Sequence, residues 1–129
     1  MKKILITLAT SAVFALASNN TTTVSATMSL MNQGMEKIHQ GFMLNQKQLI
    51  LDGINMTQSA NAIFKTVDVK TFIPNNNKVQ VTKNINTNVT NDLTQLKKDV
   101  QGGHYSDATK TYGKVLNDCM SCHTIIRGW

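Results

Sequence analysis

The sequence predicts an all-α protein that folds as an antiparallel, up-down-up-down four-helix bundle. Three observations lead to this prediction. Apolar residues recur at every third or fourth position through four long segments, which is the pattern of an amphipathic helix. The single proline, Pro74, lies in an Asn-rich stretch that separates two of these segments from the other two. The remaining connections are short, so consecutive helices are expected to pack side by side in opposite directions.

The two segments before Pro74 are predicted to form the first half of the bundle. The first helix is expected over about 27–44 and the second over about 47–67, with a connection near Asn45 and Gln46. The apolar stripe of the first helix comprises Met28, Met31, Met35, Ile38 and Phe42. The stripe of the second comprises Leu49, Ile50, Ile54, Ala60, Ile63, Phe64 and Val67.

The two segments after Pro74 are predicted to complete the bundle. The third helix is expected over about 79–101, although the alternating Val79 and Val81 hint briefly at extended chain. Gly102 and Gly103 then break the pattern, and the fourth helix is expected over about 105–126. The third stripe comprises Ile85, Val89, Leu93, Leu96 and Val100. The fourth comprises Ala108, Tyr112, Val115, Cys119, Cys122 and Ile126.

The N-terminus has the features of a secretory signal peptide. Lys2 and Lys3 precede an apolar run, and small residues suited to cleavage end at Ala17 or, alternatively, at Ala26. We therefore expect residues 1–17 to be a signal peptide, with cleavage as late as 26, and residues 27–129 to be one mature domain. The expected location is the bacterial periplasm, without stable membrane insertion after cleavage. An uncleaved anchor is the alternative, but the run is shorter than the about 20 residues of a membrane span.

The most specific motif is Cys119-Met120-Ser121-Cys122-His123, which has the C-x-x-C-H pattern of covalent haem attachment. Each thiol can bond one haem vinyl group, and the adjacent imidazole can then ligate the iron. Cys119 and Cys122 are the 2 cysteines of the chain. The sequence thus predicts one covalent haem c per chain near the end of the last helix, with His123 as an iron ligand.

Two other readings of the motif remain open. A thioredoxin-like dithiol would use Cys119 and Cys122, but it requires a βαβ context and a helix N-terminus that lowers the thiol pKa. A structural zinc site requires four nitrogen or sulfur ligands at recognisable spacing. His39 and His104 are too scattered along the sequence to complete such a site with His123.

The predicted bundle places the start of the first helix near the end of the fourth. Met28, Met31 and Met35 would therefore lie near the haem, and we choose Met31 as the axial ligand. A thioether is a soft ligand that raises the reduction potential. The alternative is that these methionines only pack, as methionine often does in cores. Pocket walls are expected from the end of the second helix, at Ile63, Phe64 and Val67.

The other histidines are not expected to bind the iron. His104 lies about 28 Å from His123 along a helix that rises about 1.5 Å per residue. His39 follows Met31 by about two turns and stands beside Gln40, so a solvated or capping role is expected. Met43 belongs at the far end of the bundle and Met56 near its middle.

The last helix, from Gly103 through the haem motif to Arg127, resembles the class II cytochromes c, which include cytochrome c′. In that family an aromatic residue and an arginine follow the motif, and here Ile126 stands at the aromatic position. The resemblance implies His123 as the proximal ligand and Arg127 near the proximal haem face or a propionate. It also implies a methionine ligand from early in the first helix in low-spin members, which Met31 matches best, with Met28 or Met35 as alternatives. Arg127 could instead simply favour the helix dipole.

These observations predict a periplasmic carrier of single electrons, and no catalytic activity is expected. The alternative is a five-coordinate, high-spin protein that binds nitric oxide or carbon monoxide on an apolar distal face. The net charge is +6 for the full chain, and loss of Lys2 and Lys3 with the signal peptide lowers it to 11 − 7 = +4. A mildly basic surface suits an acidic redox partner protein, although lysines on solvated helix faces explain the charge equally well. No cluster of basic and aromatic residues indicates nucleic acid. The resemblance also allows a homodimer through the first two helices.

Overall fold

A computed structural model describes residues 20–73 and 77–127, apart from the side chains of Asn20, Thr21, Asn77 and Arg127. Within these residues the structure is all-helical and contains no strand. The four α-helices and one 3₁₀ turn are α1 (Asn20–Met43), α2 (Lys47–Thr66), the turn Val69–Thr71, α3 (Asn77–Gly102) and α4 (Tyr105–Arg127). The all-α class and the four helices are confirmed, and the architecture is consistent with a four-helix bundle.

The helix boundaries differ from the predicted ones mainly at the N-terminal ends. Helix α1 is already formed at Asn20, before the predicted start near residue 27, and α3 is formed from Asn77, so that Val79 and Val81 are helical and not extended. The 3₁₀ turn after α2 was not predicted. It follows Asp68, whose side chain accepts a hydrogen bond from the backbone N–H of Lys70 at 3.1 Å.

Two predicted features lie outside the described residues. These are the signal peptide at 1–17 and the loop at Pro74. Within the ranges 20–73 and 77–127, none of the helices combines the length and the apolar character that crossing a membrane requires.

Left-handed backbone conformations end the first and third helices. Asn45 has a φ of 52° and Gly103 a φ of 76°. Asparagine and glycine are the residues that adopt this conformation most readily. After α1, the N–H of Gln46 donates to the carbonyl of Gly41 at 2.8 Å, which satisfies one of the terminal carbonyls of the helix. The connection expected near Asn45 is therefore confirmed, with a physical reason for its position.

Aliphatic side chains from all four helices form a close-packed region. Each of them is at most 1% exposed, and burying such a side chain typically contributes about 1.5–3 kcal/mol. The packed region is Ile38, Ile50, Ile54, Leu93, Leu96, Val100, Ala108 and Val115. All of these residues belong to the predicted apolar stripes, so the stripes are confirmed as buried at these positions.

Glycines allow α1 and α2 to approach closely. A Cβ atom on Gly53 would lie 2.6 Å from the carbonyl oxygen of Gly34 and 2.7 Å from the amide nitrogen of Ile38. Because these are backbone atoms, they could not move aside as a flexible side chain could. The tight contact holds the part of α1 that carries Met31 and Met35 against α2.

Candidate functional site

A cavity of about 240 Å³ is lined by side chains from all four helices. It lies beside the packed region, because Met35, Ile85 and Cys119 contact that region and also line the cavity. Its walls are mainly apolar. A largely apolar cavity with a few polar groups is the usual form of a cofactor site.

Helix α4 contributes the whole haem-attachment motif to this cavity except Ser121. Cys119, Met120, Cys122 and His123 all line it. Cys119 and His123 share a helix face because they are four residues apart, and Cys122 lies three residues after Cys119. Cys119 and Cys122 are partly buried and do not form a disulfide. The side chains that the motif requires for haem attachment are thus on one wall.

The surroundings of the two thiols keep them protonated. Burial raises the pKa of Cys119 to about 11, with further contributions from the nearby Asp118 and Cys122. Burial also raises the pKa of Cys122. A redox dithiol requires the opposite, because the thiolate is the reactive form and its pKa is lowered in such proteins. This environment weighs against the thioredoxin-like reading.

Helix α1 contributes the three predicted methionines, Met28, Met31 and Met35, to the same cavity. All three are partly buried. Their spacing of three and four residues places them on one helix face. The structure therefore brings together the two groups of residues that the sequence prediction assigned to the haem, although 84 or more residues separate them along the chain.

The prediction of which α2 residues form the pocket walls is only partly correct. Phe64 of α2 lines the cavity, together with Ile85 and Val89 of α3. Ile63 is 44% exposed and does not line it. Val67 is buried, but it lines a separate polar depression near the end of α2. The reason is the end of α2 at Thr66, which takes Val67 out of the helical register that the prediction assumed.

A pair of asparagines in the cavity wall was not predicted. Asn61 of α2 and Asn86 of α3 are 3% and 8% exposed. The Asn86 Nδ2 donates to the Asn61 Oδ1 at 2.6 Å, and the Asn61 Nδ2 donates to the Thr90 Oγ1 at 3.0 Å. The sequence did contain a pattern that indicates their position. Asn61 lies three residues before Phe64, and Asn86 three residues before Val89, so each asparagine shares a helix face with a residue of the apolar stripe.

One atom of this pair lacks a partner. The Asn86 Oδ1 is buried and accepts no hydrogen bond from the described residues. A buried polar atom without a partner typically costs about 1–3 kcal/mol. It is the one such side-chain atom found in the described part of the chain.

The other residues considered in the sequence analysis either lie away from the cavity or have side chains that the structure does not describe. Arg127 is the last residue of α4, and its side chain lies outside the described atoms. Ile126, at the position that is aromatic in the family, packs against Val69, Ile73 and Val79. His39 is exposed, with its ring 6.5 Å from that of Tyr112, and His104 is exposed at the start of α4. Neither histidine is among the described residues that line the cavity.

The donor atoms in the cavity fit a covalent haem better than a bare metal ion. Over residues 20–73 and 77–127, no group of three or more His, Cys, Asp or Glu side chains could hold a metal ion. A haem needs fewer protein ligands, because the porphyrin supplies four nitrogens and the protein only the axial positions. Two thiols, one imidazole and four thioethers around an apolar space are side chains of the kind that hold a haem c.

The comparisons with known proteins give no further information. No protein-family model matches the chain, and neither a curated protein nor a solved structure matches it. The assignment of a function therefore depends on the residues and geometry described above.

Proposed function

We propose that this protein is a periplasmic c-type cytochrome of the class II type that carries single electrons. The observation that carries the proposal is the common cavity of Cys119, Cys122, His123 and Met31, which come from opposite ends of the chain. A haem signature by itself is a pattern of five residues. Its occurrence on the wall of an apolar cavity that also contains predicted axial ligands is much more specific.

The proposed architecture is an antiparallel, up-down-up-down bundle. It is supported by the order of the contacts between helices. Along α1 and α2, Gly34 is adjacent to Gly53, whereas Gly41, later in α1, is adjacent to Ile50, earlier in α2. Between α3 and α4, Lys78 contacts Ile125, whereas Asp99 contacts Thr111.

The roles of the side chains follow from their chemistry. Cys119 and Cys122 would hold the haem through two thioether bonds, and His123 would be the proximal ligand. Met31 would be the distal ligand, with Met28 and Met35 as the alternatives on the same helix face. When bound, the haem supplies an iron that alternates between the ferric and ferrous states. The rigid packed region would keep the ligands in place in both states, and Arg127 would lie near the proximal face.

The surface around the cavity suits transfer of electrons rather than catalysis. Leu116 and Met120 line the cavity and are each 45% exposed, so this edge reaches solvent. A haem edge near the surface allows transfer to a partner protein without a substrate channel. Without Lys2 and Lys3 of the expected signal peptide the net charge is 11 − 7 = +4, which favours an acidic partner, and a homodimer is compatible with the family resemblance.

The test is the visible spectrum of the mature protein in its oxidised and reduced forms, combined with acid–acetone extraction. Colour that remains with the protein after extraction demonstrates covalent haem. Sharp α and β bands on reduction, with a weak long-wavelength band in the ferric form, indicate His–Met ligation. Single replacements of Met28, Met31 and Met35 by Ala then identify the ligand, because only one of them should remove the long-wavelength band. Colourless protein would refute the proposal.

The second candidate function is the binding of nitric oxide or carbon monoxide by five-coordinate iron. It is favoured by the apolar wall formed by Phe64, Ile85 and Val89, which could surround a small diatomic ligand. In this case Met31 would only pack. A broad high-spin spectrum that changes strongly with carbon monoxide would support this candidate over the electron carrier.

A further inference from the structure

Asn86 lines the cavity, and its Oδ1 is a buried hydrogen-bond acceptor that the described residues leave unused. The residue lines the cavity and is 8% exposed, and its carbonyl oxygen accepts no bond from the described residues. Buried polar groups in folded proteins are almost always paired. An exception in the wall of a candidate cofactor site indicates that the partner is a molecule in the cavity.

The neighbouring residues determine which end of the Asn86 amide is available. Its Nδ2 is occupied, because it donates to the Asn61 Oδ1 at 2.6 Å. Asn61 is oriented in turn by its own donation to the Thr90 Oγ1 at 3.0 Å. A rotated Asn86 amide would place two carbonyl oxygens against each other. The network therefore leaves an acceptor, and not a donor, for an occupant of the cavity.

We propose that Asn61 and Asn86 make this cavity selective for small neutral ligands that carry an N–H or O–H group. Such a ligand can donate to the Asn86 Oδ1, whereas a ligand of the same shape without a donor leaves that oxygen unpaired. This inference deepens the proposed function and rests on it where the haem iron holds the ligand. Asn61 is a positioning residue, and Asn86 contacts the ligand.

Imidazole and 1-methylimidazole are suitable probes for this selectivity. Both bind haem iron through the same type of nitrogen, but imidazole bound in this way retains an N–H group and 1-methylimidazole has none. The cost of displacing Met31 is common to both probes, so it cancels in the ratio of their dissociation constants. That ratio, measured by visible titration of the ferric haem-containing protein, is the readout.

The variant Asn86→Leu keeps the size of the side chain and removes the acceptor. We expect it to reduce the preference for imidazole over 1-methylimidazole by about three- to tenfold, the range expected for one hydrogen bond. The matched control is Asn84→Leu, since Asn84 is on the same helix but is exposed and outside the cavity lining, and its Oδ1 accepts from the Gln80 Nε2 at 2.9 Å. This control should leave the ratio unchanged.

A second variant covers the case in which Asn86→Leu does not fold because the Asn61 Oδ1 loses its donor. The double variant Asn61→Leu/Asn86→Leu removes both polar groups together and should show the same loss of preference. If either folded variant weakens the binding of both probes equally, the inference is wrong. An equal effect of Asn84→Leu would also overturn it.

A second measurement separates this inference from the proposed function. If the purified protein contains no covalent haem, the proposed function fails, and the acceptor is then tested in the same protein by nuclear magnetic resonance. Imidazole should shift the side-chain amide resonances of Asn86 and Asn61 more than 1-methylimidazole at equal concentration. Equal shifts, or none with either probe, would refute the inference independently of the haem.

Discussion

The packed region and the cavity differ in the kind of side chains that they contain, although the same four helices form both. The packed region consists of aliphatic side chains, mostly branched and without polar side-chain atoms. The cavity is surrounded by methionine, cysteine, histidine and asparagine as well as apolar residues. Branched aliphatic side chains have few rotamers and fill space densely, whereas thioethers are flexible and can act as ligands.

This difference indicates that the two regions of the helices have different roles, one in stability and the other in ligand binding. The packed region is complete in itself, because its side chains are almost entirely buried by one another. The cavity is incomplete in two respects, since it encloses space and contains the unpaired Asn86 Oδ1. Stability is therefore expected to depend on the packed region, and ligand binding on the cavity. The following predictions test that division, in order of decreasing effect.

The largest effect is expected from removing both thiols. The variant Cys119→Ala/Cys122→Ala should lose all covalently bound haem, because these are the 2 cysteines of the chain and each would form one thioether in the proposed cytochrome. The measurement is the haem colour that stays with the protein after acid–acetone extraction. Ser121→Ala, inside the same motif, is the control and should keep its colour. Haem retained by the double variant would contradict the proposed attachment.

The next largest effect is expected in the packed region. Leu96 is 0% exposed. The variant Leu96→Ala should lower the free energy of unfolding by about 2–5 kcal/mol, because it leaves a cavity in a close-packed core. Leu116→Ala is the matched control at the cavity edge, where the side chain is 45% exposed, and it should cost about 0.5 kcal/mol or less. Urea unfolding of the two variants measures the difference. Equal costs would mean that the two regions are not distinct in stability.

The raised pKa of Cys119 predicts that iodoacetamide alkylates the folded, haem-free chain slowly. With the pKa of Cys119 raised to about 11 from an ordinary 9.0, its thiolate fraction at pH 8 is about a hundredfold smaller than in the unfolded chain. Alkylation by iodoacetamide should be slower by about this factor in buffer than in urea, as followed by mass spectrometry. Circular dichroism verifies that the chain in buffer is folded. Similar rates would contradict the buried environment of the thiol.

The same pKa also predicts the pH dependence of stability. Because the folded haem-free chain holds the thiol proton more tightly than the unfolded chain, its stability should decrease as the pH rises from about 9 towards 11. In the proposed haem-bound protein the Cys119 sulfur would be a thioether, so this contribution should be absent. Urea titrations of both forms across this pH range provide the comparison.

The smallest effect is expected from a hydrogen bond near the end of α4. The Lys78 Nζ donates to the backbone carbonyl of Ile125 at 2.6 Å, which satisfies a carbonyl in the last turn of the helix. Lys78→Met should cost about 0.5–1.5 kcal/mol in urea unfolding. Lys83→Met, an exposed position on the same helix, is the control. If both variants have the same stability, the contact does not contribute.

The sequence prediction succeeded where a local pattern determines the outcome. The apolar stripes located four helices, because the period of an α-helix is visible in the sequence of each segment. It was less accurate at the end of α2, which was predicted to include Val67 but ends at Thr66, with Val67 in extended backbone. Ile63 was expected to line the pocket and is largely exposed, because the stripe of a helix does not reveal which part of it faces a neighbour.

Residue types and short spacings were enough to establish the helical class, the C-x-x-C-H motif on the last helix, and the three methionines as candidate ligands on the first. The packing of the helices was needed to show that these methionines and the motif line one cavity, and that Asn61 and Asn86 line it too, with one buried acceptor unpaired. Contacts between helices, and the hydrogen bonds left unmade there, depend on segments that are distant along the chain, so no local pattern reveals them.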